Sequence, residues 1–218
     1  LTLKPADDYG HGTQMRNVQM DEAAPPGWSA DWDIDDRLNL LEGEHDIHLR
    51  YTGFTQGTSA GLAEGWVVAN GYKSTEELWI PRVLVRKQNA QDAPPLESTF
   101  VGVLEPYDGN PFIAGIRRHM LETPDGQALG DTHAAIEIEF VDGRRDILLV
   151  RDRLDTSATR VTTKVNTETR TDGEIALVRL APEGHVVYTA LCGGSSLESG
   201  DYLLNLEGIA RFHEIDNR

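Results

Sequence analysis

Apolar and polar residues alternate along most of this chain, and the three-to-four spacing of an amphipathic helix is nearly absent. Period-two patterning predicts strands at 28–34, 45–52, 65–69, 82–87, 98–105, 112–121, 133–140, 145–151, 174–181, 184–192 and 208–215. Turn signals punctuate these runs: Asp142-Gly143, Asp172-Gly173, Pro124-Asp125-Gly126 and Pro182-Glu183-Gly184. The clearest unit is a hairpin about Asp142-Gly143. Ala135, Glu137 and Glu139 alternate there with Ile136, Ile138 and Phe140, which predicts one acidic and one dry face. The stretches 21–27 and 88–96 lack periodicity and each carry a Pro-Pro pair, so they read as loops. A short helical turn is expected at 74–78. The whole reads as all-β: a large antiparallel β-sandwich of stacked sheets with little helix, one domain over 1–218.

Length and charge sharpen this picture. A chain of 218 residues buries a sizeable core without covalent staples. Its single cysteine, Cys192, lies in an apolar run and reads as a buried small hydrophobe. The chain opens on Leu1 and already strand-like sequence, so it is expected to be a piece of a larger protein. No run of about 18 apolar residues occurs, and no contact with a membrane is expected. The net charge of −16 is concentrated in residues 1–80, which hold 14 acidic and 5 basic residues. Such a field lacks the basic footprint that nucleic acids need, and excludes them as expected partners.

Candidate chemistry is sparse. Of seven histidines only His45 and His48 lie close together, and their spacing puts them on opposite faces of a strand. Asp31, Asp33 and Asp35 share one face of a strand beside Trp32. Three such carboxylates repel unless a cation or a basic partner sits among them. Calcium is one candidate cofactor, though the EF-hand spacing is missing, and a solvated acidic face is the other reading. No Gly-x-Ser-x-Gly elbow or phosphate-binding loop occurs, and Gly193-Gly194-Ser195-Ser196 reads as a loop after a strand. No catalytic residue is therefore assigned. Tyr72 and Trp79, in or beside a polar stretch, are the candidates for stacking on a polysaccharide or oligosaccharide.

The order of segments is also informative. Trp28-Ser29-Ala30-Asp31-Trp32, His48-Leu49-Arg50, Leu84-Val85-Arg86 and Pro111-Phe112-Ile113 accompany the string Ser98-Thr99-Phe100-Val101-Gly102-Val103-Leu104-Glu105-Pro106-Tyr107. Over residues 9–155 this resembles the C-terminal β-sheet region of heparinase II/III-like polysaccharide lyases. The resemblance implies an N-terminal catalytic domain of the same protein, an α/α-toroid, as a partner. It also implies β-elimination at a uronic acid by the whole protein, and a secreted or periplasmic setting. The leading expectation is a non-catalytic sandwich that braces the catalytic part, binds carbohydrate, or both. The alternatives are a share in the lyase active site and a calcium-stabilised assembly or adhesion module. Glu105-Pro106-Tyr107 is expected to form a corner where Pro106 ends a strand and Tyr107 packs.

Overall fold

The computed structural model describes residues 1–6, 14–36, 38–68, 77–90, 93–155, 161–163 and 169–216. Among these the fold is all-β, with seventeen strands and no helix. In chain order they are β1 (Lys4–Pro5), β2 (Met15–Asp21), β3 (Trp28–Asp33), β4 (Ile47–Gly53), β5 (Ser59–Val68), β6 (Glu77–Arg86), β7 (Gly102–Asp108), β8 (Ile113–His119) and β9 (Ala134–Phe140). Then follow β10 (Arg145–Val150), β11 (Val161–Thr163), β12 (Thr169–Thr171), β13 (Ile175–Leu180), β14 (Val186–Cys192), β15 (Gly194–Ser199), β16 (Tyr202–Ala210) and β17 (His213–Asp216). The chain divides into two compact units, Leu1–Trp28 with Gly53–Phe100, and Ser29–Thr52 with Val101–Arg218.

The first unit is a four-stranded antiparallel sheet in the order β1-β2-β5-β6. Its small core gathers Val18, Met20 and Ala63, with Met15 and Leu84 against them. Strand β2 bulges between Arg16 and Gln19, and Asn17 there takes a left-handed φ of 53°. Just past the bulge, Gly61 pairs with Met20 and lets β5 close on β2. A Cβ at this position would fall on the carbonyl oxygen of Gln19 and 2.5 Å from Met20 Sδ.

The second unit holds the large core. A six-stranded sheet, β17-β14-β13-β10-β9-β8, faces a four-stranded one, β11-β12-β15-β16. Leu149, Val178, Leu180 and Leu191 of the first sheet form one cluster with Val161, Leu197 and Leu204 of the second. A single core shared by two sheets is the β-sandwich that alternation predicts. Polar pairs extend the same interior: Thr169 and Ser199 hydroxyls meet at 3.0 Å, and Thr189 meets the Tyr202 phenol at 2.9 Å. Strand β15 begins at Gly194, so the segment read as a loop at Gly193–Ser196 is largely strand. Its backbone is held by Asp172, whose carboxylate accepts from the Ser195 and Ser196 amides at 2.8 Å and from the Ser195 hydroxyl at 2.6 Å.

The β9–β10 hairpin turns at Asp142-Gly143, with Gly143 at φ 87°. Its two faces differ from the expected acidic and dry pair. Glu137 lies opposite Ile147 and is only 3% exposed, on the side that faces the core. His119 meets it at 2.8 Å, with Arg145 at 3.5 Å and Arg117 at 3.9 Å. Ile136, on the other face, is buried as well. That face is only partly covered, since Leu148 opposite Ile136 is exposed, while on the core-facing side the buried Glu137 carboxylate needs the cations around it.

The remaining three strands form a sheet in the order β3-β4-β7. Pro106 lies inside β7 rather than ending it, and β7 is the last strand of its sheet. Pro81 within β6 and Pro5 in β1 likewise sit on terminal strands, the place in a sheet that tolerates a missing N–H best. Of the turn expected at 74–78, the described part is the start of β6, hence strand.

Candidate functional site

Three adjacent strands put alternating polar side chains on one face of the β3-β4-β7 sheet. Strand β3 supplies Asp31 and Asp33, β4 supplies His48 and Arg50, and β7 supplies Glu105 and Tyr107. Each pair is two residues apart, so each shares a face. The basic strand lies between two acidic ones, and the charges meet across it.

Arg50 is the hub. Its Nε donates to Asp31 Oδ2 at 2.9 Å and its Nη2 to the Tyr107 hydroxyl at 3.1 Å. The Tyr107 hydroxyl donates in turn to Asp31 Oδ2 at 2.5 Å. Nη1 lies 3.6 Å from Glu105 Oε2. Glu105 is buried at 3% exposure, and its Oε1 accepts the amides of Phe112 at 2.9 Å and Ile113 at 2.7 Å. This carboxylate therefore fastens the start of β8 to β7. His48 stacks on Tyr107 with ring centroids 4.8 Å apart and planes within 4°. Its Nδ1 faces Asp31 at 3.4 Å and Asp33 at 3.2 Å, and its Nε2 faces Asp46 at 3.2 Å. Just ahead of β4, His45 joins Asp108 Oδ2 at 2.6 Å and the Glu42 carbonyl at 2.8 Å.

The electrostatics follow from these contacts. Burial pushes the Asp31 carboxyl up, but the hydrogen bonds from Tyr107 and Arg50 outweigh it and hold the group below its usual range. The same bond to Asp31, then burial, raises the Tyr107 phenol. His45 is raised by Asp108 and by the Glu42 carbonyl, while Asp108 is lowered by His45 and the Asp46 amide. At neutral pH the cluster thus holds a protonated phenol against an ionised aspartate, a donor rather than a base.

The residues singled out in the sequence are distributed unevenly over this geometry. Asp31 and Asp33 share the predicted face, and the basic partner that their repulsion demands is present as Arg50 and His48. Asp35 lies beyond the end of β3. Among the described residues no group of three or more His, Cys, Asp or Glu is arranged to hold a metal ion. His45 and His48 do not converge: they address different carboxylates from the two sides of the β4 start. Trp79 is half-buried opposite Trp66, and the Arg16 guanidinium lies 4.3 Å over its ring. Arg16 is fixed there by Glu64 at 2.6 Å, so one ring face is already covered. Tyr72 lies outside the described residues. Cys192 is half-buried, not fully buried, at the end of β14.

The sequence draws attention to His48 only through its nearness to His45 and to Tyr107 only as an aromatic at a corner, and it gives Arg50 no site role. Their signal was the doublet at positions i and i+2, basic in 48/50 and acidic or phenolic in 31/33 and 105/107. No family model, curated protein or solved structure matches the chain.

Proposed function

We propose that this chain is a non-catalytic β-sandwich region of a polysaccharide-degrading protein, and that it holds carbohydrate against the polar face of β3, β4 and β7. The observation that carries the reading is the pair Asp33 and Asp46. Their side chains are 95% and 76% exposed, and both are oriented by His48 beside the planar His48–Tyr107 stack. Fixed carboxylates next to a flat ring pair are acceptors for sugar hydroxyls. The string at Ser98–Tyr107 supports placing such a region beside a catalytic partner.

The charge balance favours a neutral or weakly charged glycan. Arg50 is already engaged by Asp31, Tyr107 and Glu105, so a uronate chain would meet mainly carboxylates. A share in a β-elimination site is the rival. It draws on the presence of Tyr, His and Arg in one cluster, but a base must give up its proton readily, and Asp31 drives Tyr107 the other way.

Affinity electrophoresis through gels cast with neutral and uronate polysaccharides tests the proposal. Retardation on a neutral glycan, lost in Asp33→Ala/Asp46→Ala and kept in Trp79→Ala, supports it. Equal mobility on every gel, or release of unsaturated uronate by the chain alone, overturns it.

A further inference from the structure

The segment between β3 and β4 presents an apolar surface that the glycan reading does not use. Leu38 is 78% exposed, Leu40 77% and Leu41 47%, and Ile34 at the end of β3 is 44% exposed. With Ile47 they line an open groove of about 430 Å³ together with Asp35 and Asp36. Such leucines ordinarily turn inward, and a contiguous exposed aliphatic patch marks a contact surface.

The loop is built to hold them out. Asp36 accepts the Leu41 amide on its carboxylate at 2.9 Å and the Asn39 amide on its carbonyl at 3.0 Å. Asn39 takes a left-handed φ of 47° between the two exposed leucines. Hydrogen bonds from the Leu40 and Leu41 amides keep the Asp36 carboxyl below its usual range.

The rim decides what fits. Residues 34–47 contain five acidic residues (35, 36, 42, 44 and 46) against one arginine and His45, whose ring is tied to Asp108. Glu42 and Glu44 are exposed beside the leucines, and Asp35 and Asp36 line the groove itself. A second copy of this chain would bring the same acidic rim against itself, and anionic lipid would be repelled. We infer that the surface formed by Ile34, Leu38, Leu40, Leu41 and Ile47 is a docking surface for a protein segment that carries two or three large apolar anchors flanked by lysine or arginine. The leucines supply the desolvated centre of the contact and the carboxylates supply its register and its choice of partner. This inference is independent of the glycan reading.

The test uses the full chain and an amphipathic leucine–lysine peptide of about 18 residues, with its leucine–glutamate counterpart as control. Titration followed by 1H–15N correlation spectra is expected to give saturable shifts confined to residues 34–47. Leu38→Ser/Leu40→Ser, with unchanged melting, is expected to weaken binding about tenfold or more. Glu42→Gln/Glu44→Gln is expected to weaken it several-fold and to flatten its salt dependence. Shifts spread over the whole acidic surface, or equal binding by the serine variant, would mean plain charge attraction and overturn the inference. So would equal binding of the glutamate peptide, leucine-dependent binding to phosphatidylcholine vesicles, or a leucine-dependent dimer in sedimentation.

Discussion

The phenol of Tyr107 donates to the same Asp31 oxygen, at 2.5 Å, that receives the Arg50 Nε proton at 2.9 Å. One carboxylate oxygen thereby joins the outer strands of a three-stranded sheet through the central one. The consequences are measurable.

Ionising Tyr107 would set two negative groups against each other, so its phenolate is expected only above the ordinary tyrosine value of about 10. Absorbance titration in the phenolate band is the measurement, with Tyr107→Phe identifying the step. Asp31→Asn is expected to bring that step back down toward the ordinary value, because the raising charge is gone.

Asp31 itself governs an acid limb. Its folded value lies below the unfolded one, so its contribution to stability is complete above the ordinary aspartate value of about 3.9. That contribution is lost as pH falls through the lowered folded value. Denaturant midpoints measured across this acid range are expected to fall more gently in Asp31→Asn than in the wild type.

His45 acts with the opposite sign. Both ring nitrogens face acceptors, Asp108 and the Glu42 carbonyl, which favours the imidazolium. A raised folded value makes its contribution complete below the ordinary histidine value of about 6.5. It is lost as pH rises through the raised folded value. The melting-temperature difference between wild type and His45→Gln is expected to shrink on going from mildly acid to alkaline buffer.

Gly61→Ala is expected to destabilise the chain by about 2–3 kcal/mol, as overpacking against fixed backbone does. The new methyl would meet the Gln19 carbonyl and Met20 Sδ. Gly130→Ala, where nothing lies within 4 Å, is the matched control and is expected to change the urea midpoint little.

The sequence pattern carried the strands whose alternation is regular and missed those whose polar residues are buried. The hairpin of β9 and β10 was legible because Ile, Leu and Val recur there and Asp142-Gly143 marks the turn. Strand β15, Gly194–Ser199, was not: its serines are held by Asp172 and by Thr169, and hydroxyls satisfied inside a core look like loop sequence. Strand β2 hid behind its bulge, since Asn17 in a left-handed conformation breaks the period of two. The expected run at 208–215 is divided between the end of β16 and β17. At the site, the shared face of Asp31 and Asp33 follows from spacing alone. That Arg50 and Tyr107 would meet Asp31 depends on which strands become neighbours, and local pattern holds no information on strand order.

Three strands that close off sheets, β1, β6 and β7, each carry a proline. An unguarded rim on so strand-rich a polypeptide would invite identical molecules to add on, end after end, into fibrils. A ring nitrogen without a hydrogen offers an incoming strand one donor fewer, which disfavours self-templating growth along these three borders.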